Sequence, residues 1–390
     1  MRISLVLVAC LWPTISVAAE TPEYLLAYKA YDQALQEGDK QAAILQSKRA
    51  FRLGQNVENI DKTTLFLLAQ NYIDLTLWTP TQDTVDAIKL CLNLDEDGFN
   101  SGDYSRLELE LMAAFTNSKL NPKQKFGPLQ KAIEEAIAAG VDEKSLIIII
   151  AKLQVVETML ARGDNDAAYD YITPLYNLFR STENVDRSLM AQTAMLRAVS
   201  MLSDIEHSPY SNHPFSVSDA YVEKIKDGII ILTNALSLYD KPAPTPDEID
   251  PMPLALTMWY SIARTYVGSF EIEAMQDREF EGLRNPADLP ELYQFWPQEC
   301  SDKVVWNREP PRIPSVALRK AYNGVAFISY GFDQQGRAKD VRLISELPQK
   351  KFGQYAIEAA EGWSINADQL PKDCLTYRAG TIVMSTISDW

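Results

Sequence analysis

The sequence predicts a multidomain chain that is α-helical first and α+β at its end: a body of helical hairpins, then a small ββαβ domain. Three observations carry this expectation. Apolar residues recur at helical spacing in one segment after another from Thr21 to about Gly268. Glycine-aspartate pairs, Gly38-Asp39 and Gly163-Asp164, break those segments into pairs. The stretch GVAFISYGFDQQGRAKDVRLIS, Gly324 to Ser345, alternates instead with the period of strands.

The helical body begins with YLLAYKAYDQALQEGDKQAAILQSKRAFRLGQ. Its spacing sets Leu26, Ala30, Gln33 and Ala34 near one stripe, breaks at Gly38-Asp39, and resumes with Ala42, Ala43, Gln46 and Ala50. Small alanines on a crossing face let two helices approach closely, while Tyr28 and Tyr31 fill wider gaps. TTLFLLAQNYIDL repeats the Leu, Ala and Tyr spacing, and AKLQVVETMLARGDNDAAYDYITPLYNLF again reads helix, Gly-Asp turn, helix. Three further periodic segments, SLMAQTAMLRAVSML, AYVEKIKDGIIILTNALSLY and LALTMWYSIARTYV, complete the series. DKPAPTPDEIDPMP interrupts it at residues 240–253, where proline density resists both helix and sheet and leaves a linker or surface loop. The expected divisions are 1–19 signal peptide, 20–240 helical body, 241–253 linker or loop, 254–299 helical extension and irregular connector, and 300–390 terminal domain.

In that terminal domain Ala326, Ile328, Tyr330 and Phe332 alternate with Val325, Phe327, Ser329 and Gly331, enough for one full apolar face. Val341 and Leu343 point one way in the next strand, Asp340 and Arg342 the other. Asp333 and Gly336 suit the hairpin loop between them, Gly336 in the left-handed conformation. KFGQYAIEAAEGW then places Phe352, Tyr355, Ala356, Ala359 and Trp363 on a helical stripe, with Glu358 and Glu361 toward water, and AGTIVMSTI supplies a last strand.

Two family resemblances rest on these residues. The helical pieces resemble the tetratricopeptide repeat, with an irregular period and mostly without its closing proline. From about Pro310 to Ile387 the chain resembles the carboxy-terminal domain of TonB, through PPRIP with Ala317, the hairpin, and Phe352, Ala356, Ala360 and Trp363 before the last strand. The second resemblance implies a binding module that pairs the edge of a small sheet with an extended peptide, here along Gly380, Thr381, Ile382, Val383, Met384, Ser385, Thr386 and Ile387. It also implies partners among periplasmic or outer-membrane proteins, a possible homodimer through the terminal domain, and, alternatively, an accessory or tethered role in TonB-dependent outer-membrane transport. The chain departs from TonB in its leader, its helical body and its short proline segment.

Length, charge and the first residues bound the function. Residues 1–19 open with Arg2, continue through an apolar run broken by Pro13, and end in small residues, which reads as a cleavable export signal and a periplasmic protein. An uncleaved inner-membrane anchor, or lipidation at Cys10, are the alternatives, and membrane association is expected only with the anchor retained. The formal charge of −16 becomes −17 once Arg2 (+1) is removed, which repels phosphate backbones and argues against nucleic acid.

Candidate chemical sites are few. Export places Cys300 and Cys374, which bracket the terminal segment, in an oxidising compartment, and a disulfide between them is expected. Cys91, in a helical pattern, reads as a buried thiol. Asn93, Asp95, Asp97 and Gly98 occupy places of a calcium loop, but Tyr104 stands where a bidentate carboxylate belongs. The competing reading is an acidic turn with Ser101 or Asp103 capping the next helix. His207 and His213 lie in a proline-broken stretch without the helical spacing of zinc ligands. No nucleophile elbow, phosphate-binding glycine loop or His-Glu-x-x-His helix occurs, so neither an enzyme nor a cofactor is expected.

Overall fold

The computed structural model describes residues 21–100, 104–121, 126–182, 184–207, 219–239, 250–269, 300, 303–315, 324–347, 352–375 and 378–384. The proposed signal segment, His213, Ser101 and Asp103 lie outside them. The chain is mostly helical, with a small strand region near the C-terminus, and it divides into two compact units, Met1–Ile148 and Ile149–Trp390. Of the boundaries expected from sequence, those near 240 and 299 fall among residues not described, and that at 253 falls inside a helix.

The first unit contains α1 (Glu23–Glu37), α2 (Lys40–Gln55), α3 (Lys62–Thr76), α4 (Gln82–Glu96), α5 (Arg106–Leu120) and α6 (Gly127–Ala138), each packed on the next. Local chemistry starts and stops them. Gly38 ends α1 in the left-handed conformation, and Asp39 opens α2 by accepting a hydrogen bond from the Ala42 N–H at 2.9 Å. Asp61 does the same for α3 through the Thr64 N–H at 2.9 Å. The N-cap of α5 is Ser105 rather than Ser101 or Asp103: its hydroxyl accepts from the Glu108 N–H at 3.3 Å while the Glu108 carboxylate accepts from the Ser105 N–H at 2.8 Å.

The helical stripe expected in α1 is displaced by one residue. Ala27, Tyr31 and Ala34 are buried, whereas Leu26 is exposed and Gln33 faces solvent. In α2 the buried residues are Ala43, Ser47, Ala50, Phe51 and Gly54. Close approach of the two helices selects the small side chains, so alanine displaces leucine from the interface.

The second unit contains α7 (Leu146–Arg162, whose start precedes the division), α8 (Asn165–Arg180), α9 (Arg187–His207), α10 (Asp219–Leu236) and α11 (Pro251–Ser269). After them come β1 (Trp306–Asn307), β2 (Gly324–Phe332), β3 (Ala338–Leu347), α12 (Gly353–Glu361), β4 (Ser364–Ile365) and β5 (Arg378–Met384). Three strands form an antiparallel sheet in the order β3-β2-β5, and β1 pairs with β4 in a separate two-stranded ladder. His207 therefore stands at the end of a helix, not in a loop.

All nine residues of β2 are buried, because it is the central strand and both its faces are covered. Ala326, Ile328, Tyr330 and Phe332 meet Phe352, Ala356, Ala360 and Trp363 of the α12 layer. Val325 and Phe327 enter the core made by α8, α9, α10 and α11. Sequence alternation had called for one apolar face, and the helical bundle supplies the cover for the second.

The hairpin loop closes as expected. Gly336 takes φ 76°, and the Asp333 carboxylate accepts from the Gln335 and Arg337 N–H groups at 2.9 and 2.8 Å. A Cβ at Gly336 would stand 2.2 Å from the carbonyl oxygen of Ile365, so backbone conformation and space both demand glycine.

Candidate functional site

The candidate site is the border of the three-stranded sheet, and its two edges differ. On β3 the register breaks twice: Phe327↔Ser345 is followed by Ile328↔Leu343, and Ser329↔Arg342 by Gly331↔Lys339. Each break leaves one extra β3 residue, and Asp340 adopts φ 51° at the second. These bulges also change parity, so Ile344 and Leu347 reach the helical core. Glu346 turns to α12, where its carboxylate accepts from the Phe352 and Gly353 N–H groups at 2.8 and 2.6 Å. The β3 edge is thus bent and committed to its own helix.

β5 is regular. It pairs with β2 residue for residue from Gly324↔Met384 to Tyr330↔Arg378 without a break, and among the described residues it has no second strand neighbour. The expected edge residues Gly380, Thr381, Ile382, Val383 and Met384 all belong to this strand, which begins two residues earlier at Arg378. Ser385, Thr386 and Ile387 lie outside the described residues. On one face of the sheet α12 leans on β3 and β2, and on the other α11 leans on β2 and β5. A regular outer strand carries alternate N–H and C=O groups pointing away from its neighbour, the chemistry that a further extended segment completes.

Two features tie this region together. Cys300 and Cys374 stand at disulfide distance, with Cα atoms 5.7 Å apart and a sequence separation of 74. Cys374 lies four residues before β5, so the bond anchors the approach to that strand. Trp306, Tyr330, Phe332 and Trp363 form an edge-to-face cluster with centroids 5.5 to 6.4 Å apart. Arg308 lies 3.5 Å over the Trp306 ring, and the Trp363 indole N–H donates to the Glu309 carbonyl at 3.2 Å. Desolvation there holds the Arg308 guanidinium below its ordinary pKa. Sequence reading had identified Trp363 but not Trp306 or Arg308, whose only signal was an aromatic and a cation beside the PPRIP segment.

The remaining sequence candidates lie apart from this border. Asn93 and Asp95 lie within α4, so the spacing that suggested a calcium loop is helical. Asp95 accepts from the Asn100 amide at 2.5 Å and Asp97 faces Lys62 at 3.3 Å. Among the described residues no group of three His, Cys, Asp or Glu side chains is placed to hold a metal ion. Cys91 is buried with its thiol toward the Phe66 carbonyl, and burial, with a smaller contribution from Asp74, pushes its pKa up to about 12. Among the described residues no helix is long and apolar enough to cross a membrane. Compared with known proteins, the chain matches no family model, no curated protein and no solved structure.

Proposed function

We propose that this is a non-enzymatic periplasmic interaction protein that receives an extended segment of a partner from the periplasm or outer membrane by strand addition to β5. The observation that carries the reading is the contrast between the two edges: β5 is unbroken and has no outer neighbour among the described residues, whereas β3 is bulged twice. Bulges are a common means of blunting an edge, so the β3 side of this sheet is protected against pairing and the β5 side carries no such device among the described residues. The anchoring disulfide and the cover of α11 support the same strand from the rear, which lowers the ordering cost of receiving a partner. The resemblance to the TonB domain and the export signal read from the sequence agree with it.

The test places a photo-crosslinking residue in turn at Ile382 and Met384 on β5, the partners of Ala326 and Gly324 rather than of the core residues Val325 and Phe327, and at Lys339 and Arg342 on β3 of the full chain expressed in cells. Discrete adducts from β5 and none from β3 are expected. Equal adducts from both strands, or none from β5, sink the proposal.

A further inference from the structure

The first compact unit carries a second surface that its own packing covers only in part, Tyr31 being buried and its neighbours along the row open. On α1, Tyr28, Tyr31 and Leu35 follow helical spacing along one face. On α3, Leu67, Asn71 and Asp74 do the same, and Trp78 continues the line just past the helix end. The two faces adjoin, because the Tyr31 hydroxyl donates to Asn71 at 3.4 Å and the Tyr28 and Tyr31 rings are 5.6 Å apart. Tyr104, ahead of α5, extends the row by donating to the Asp74 carboxylate at 2.5 Å.

Four large apolar side chains in these two rows are open to solvent: Tyr28 38%, Leu35 44%, Leu67 42% and Trp78 41% exposed. Single exposed apolar residues are ordinary, but aligned ones with aromatic rings mark contact surfaces. The charge at the centre of the rows is negative. The carboxylates of Asp32 and Asp74 both act on Tyr31, whose hydroxyl is pushed up to about 12 by desolvation first and then by Tyr28, Asp74 and Asp32. The whole chain carries −16.

We infer that the paired faces of α1 and α3 dock a partner segment that is basic at its centre and apolar at its flanks. Leu35, Leu67, Tyr28 and Trp78 supply apolar contact, and Asp32 and Asp74 supply the complement to lysine or arginine. Aromatic rings add attraction for the same cations. This rests on the reading of the protein as an interaction module, but on a surface distinct from β5.

The experiment selects peptides from a random displayed dodecapeptide library on the full-length protein and measures the winners by fluorescence anisotropy. Enrichment of peptides with central Lys or Arg and flanking apolar residues is expected. Trp78→Ser and Tyr28→Ser should each weaken binding by about tenfold, and Asp74→Asn by about threefold with a shallower salt dependence. All three positions are solvent-facing, and circular dichroism checks that each variant keeps the parent's helicity; Leu67→Ser replaces any that does not. Thr381→Pro on β5 should leave this affinity unchanged. Loss of binding in Thr381→Pro with retention in Trp78→Ser assigns the peptides to β5, which overturns the inference and leaves the strand-addition reading standing. Enrichment of acidic or wholly apolar peptides, or no enrichment, overturns it as well.

Discussion

The two compact units are built from contacts of different reach. In the first, every helix packs on its neighbour in sequence and several open with a side-chain cap of their own, so each element is specified within a few tens of residues. In the second, β2 enters a core made by helices far upstream, and a disulfide joins residues 74 apart. Damage to the first unit should therefore stay near the altered residue, while damage to the second should spread. Local contacts also form early and distant ones late, so the sheet is expected to be the slower part to fold.

The sharpest way to break this contrast is Phe327→Ala, which empties a fully buried position shared by sheet and bundle. A loss of about 3 to 5 kcal/mol is expected in urea unfolding. Hydrogen exchange should accelerate in β2 and in α9 to α11 together, and acceleration confined to β2 would show that the core is not shared. Next comes Cys300→Ser: opening a loop of 74 residues should cost about 4 kcal/mol by chain entropy, read as a lower melting temperature that reductant no longer changes. Gly336→Ala should cost at least about 2 kcal/mol, since left-handed strain adds to the collision with the Ile365 carbonyl.

The first unit should respond more weakly. Ser105→Ala removes half of a capping box and should cost about 1 kcal/mol, with faster exchange limited to the first turn of α5. Smallest is a pH effect at Asp83. Hydrogen bonds from Lys48 and then Arg52 hold its carboxyl below the ordinary 3.8, and Arg52 also reaches Asp86 at 3.2 Å. A depressed folded pKa contributes stability that is present above 3.8 and is lost as pH falls through the folded value. Asp83→Asn should therefore lower stability slightly at neutrality and leave it unchanged below the folded value, which flattens the acid limb of stability against pH.

How much of this was legible depends on reach in the same way. The helices announced themselves through periodicity and through Gly38-Asp39, whose roles as stop and start are written in two adjacent residues. The stripe of α1 was misplaced because leucine outranks alanine on any hydrophobic scale, whereas a close helix crossing prefers alanine. Asn93 and Asp95 imitated a calcium loop because spacing alone does not say whether a helix has ended. In the terminal region, the succession strand, strand, helix, strand was expected from alternation and a Cys300 to Cys374 pair from an oxidising setting, whereas the short β1 and β4 were not foreseen. The bulges of β3 did not, since an unpaired residue looks like any other until its partner strand is known. The last strand was expected from Gly380 and begins at Arg378, with Ser385, Thr386 and Ile387 outside the described residues; the rows proposed as a surface on α1 and α3 were missed, because exposure of Tyr28 or Trp78 depends on which neighbours arrive.

The enclosed position of β2 has a consequence for its alignment. A strand with one wet face is held in phase by hydrophobicity, because sliding by a single residue would turn greasy side chains outward. Here sliding would merely exchange one apolar set for another, so oil and water cannot choose between the two phases. The choice falls to marks of shape and polarity: Gly324, where any added carbon would collide with the Phe352 ring at 2.0 Å, and Ser329, whose hydroxyl accepts the Arg342 Nε–H at 3.0 Å. Two small residues thereby act as the vernier of the sheet, and enlarging either one should yield a folded but mis-threaded hairpin before it yields an unfolded one.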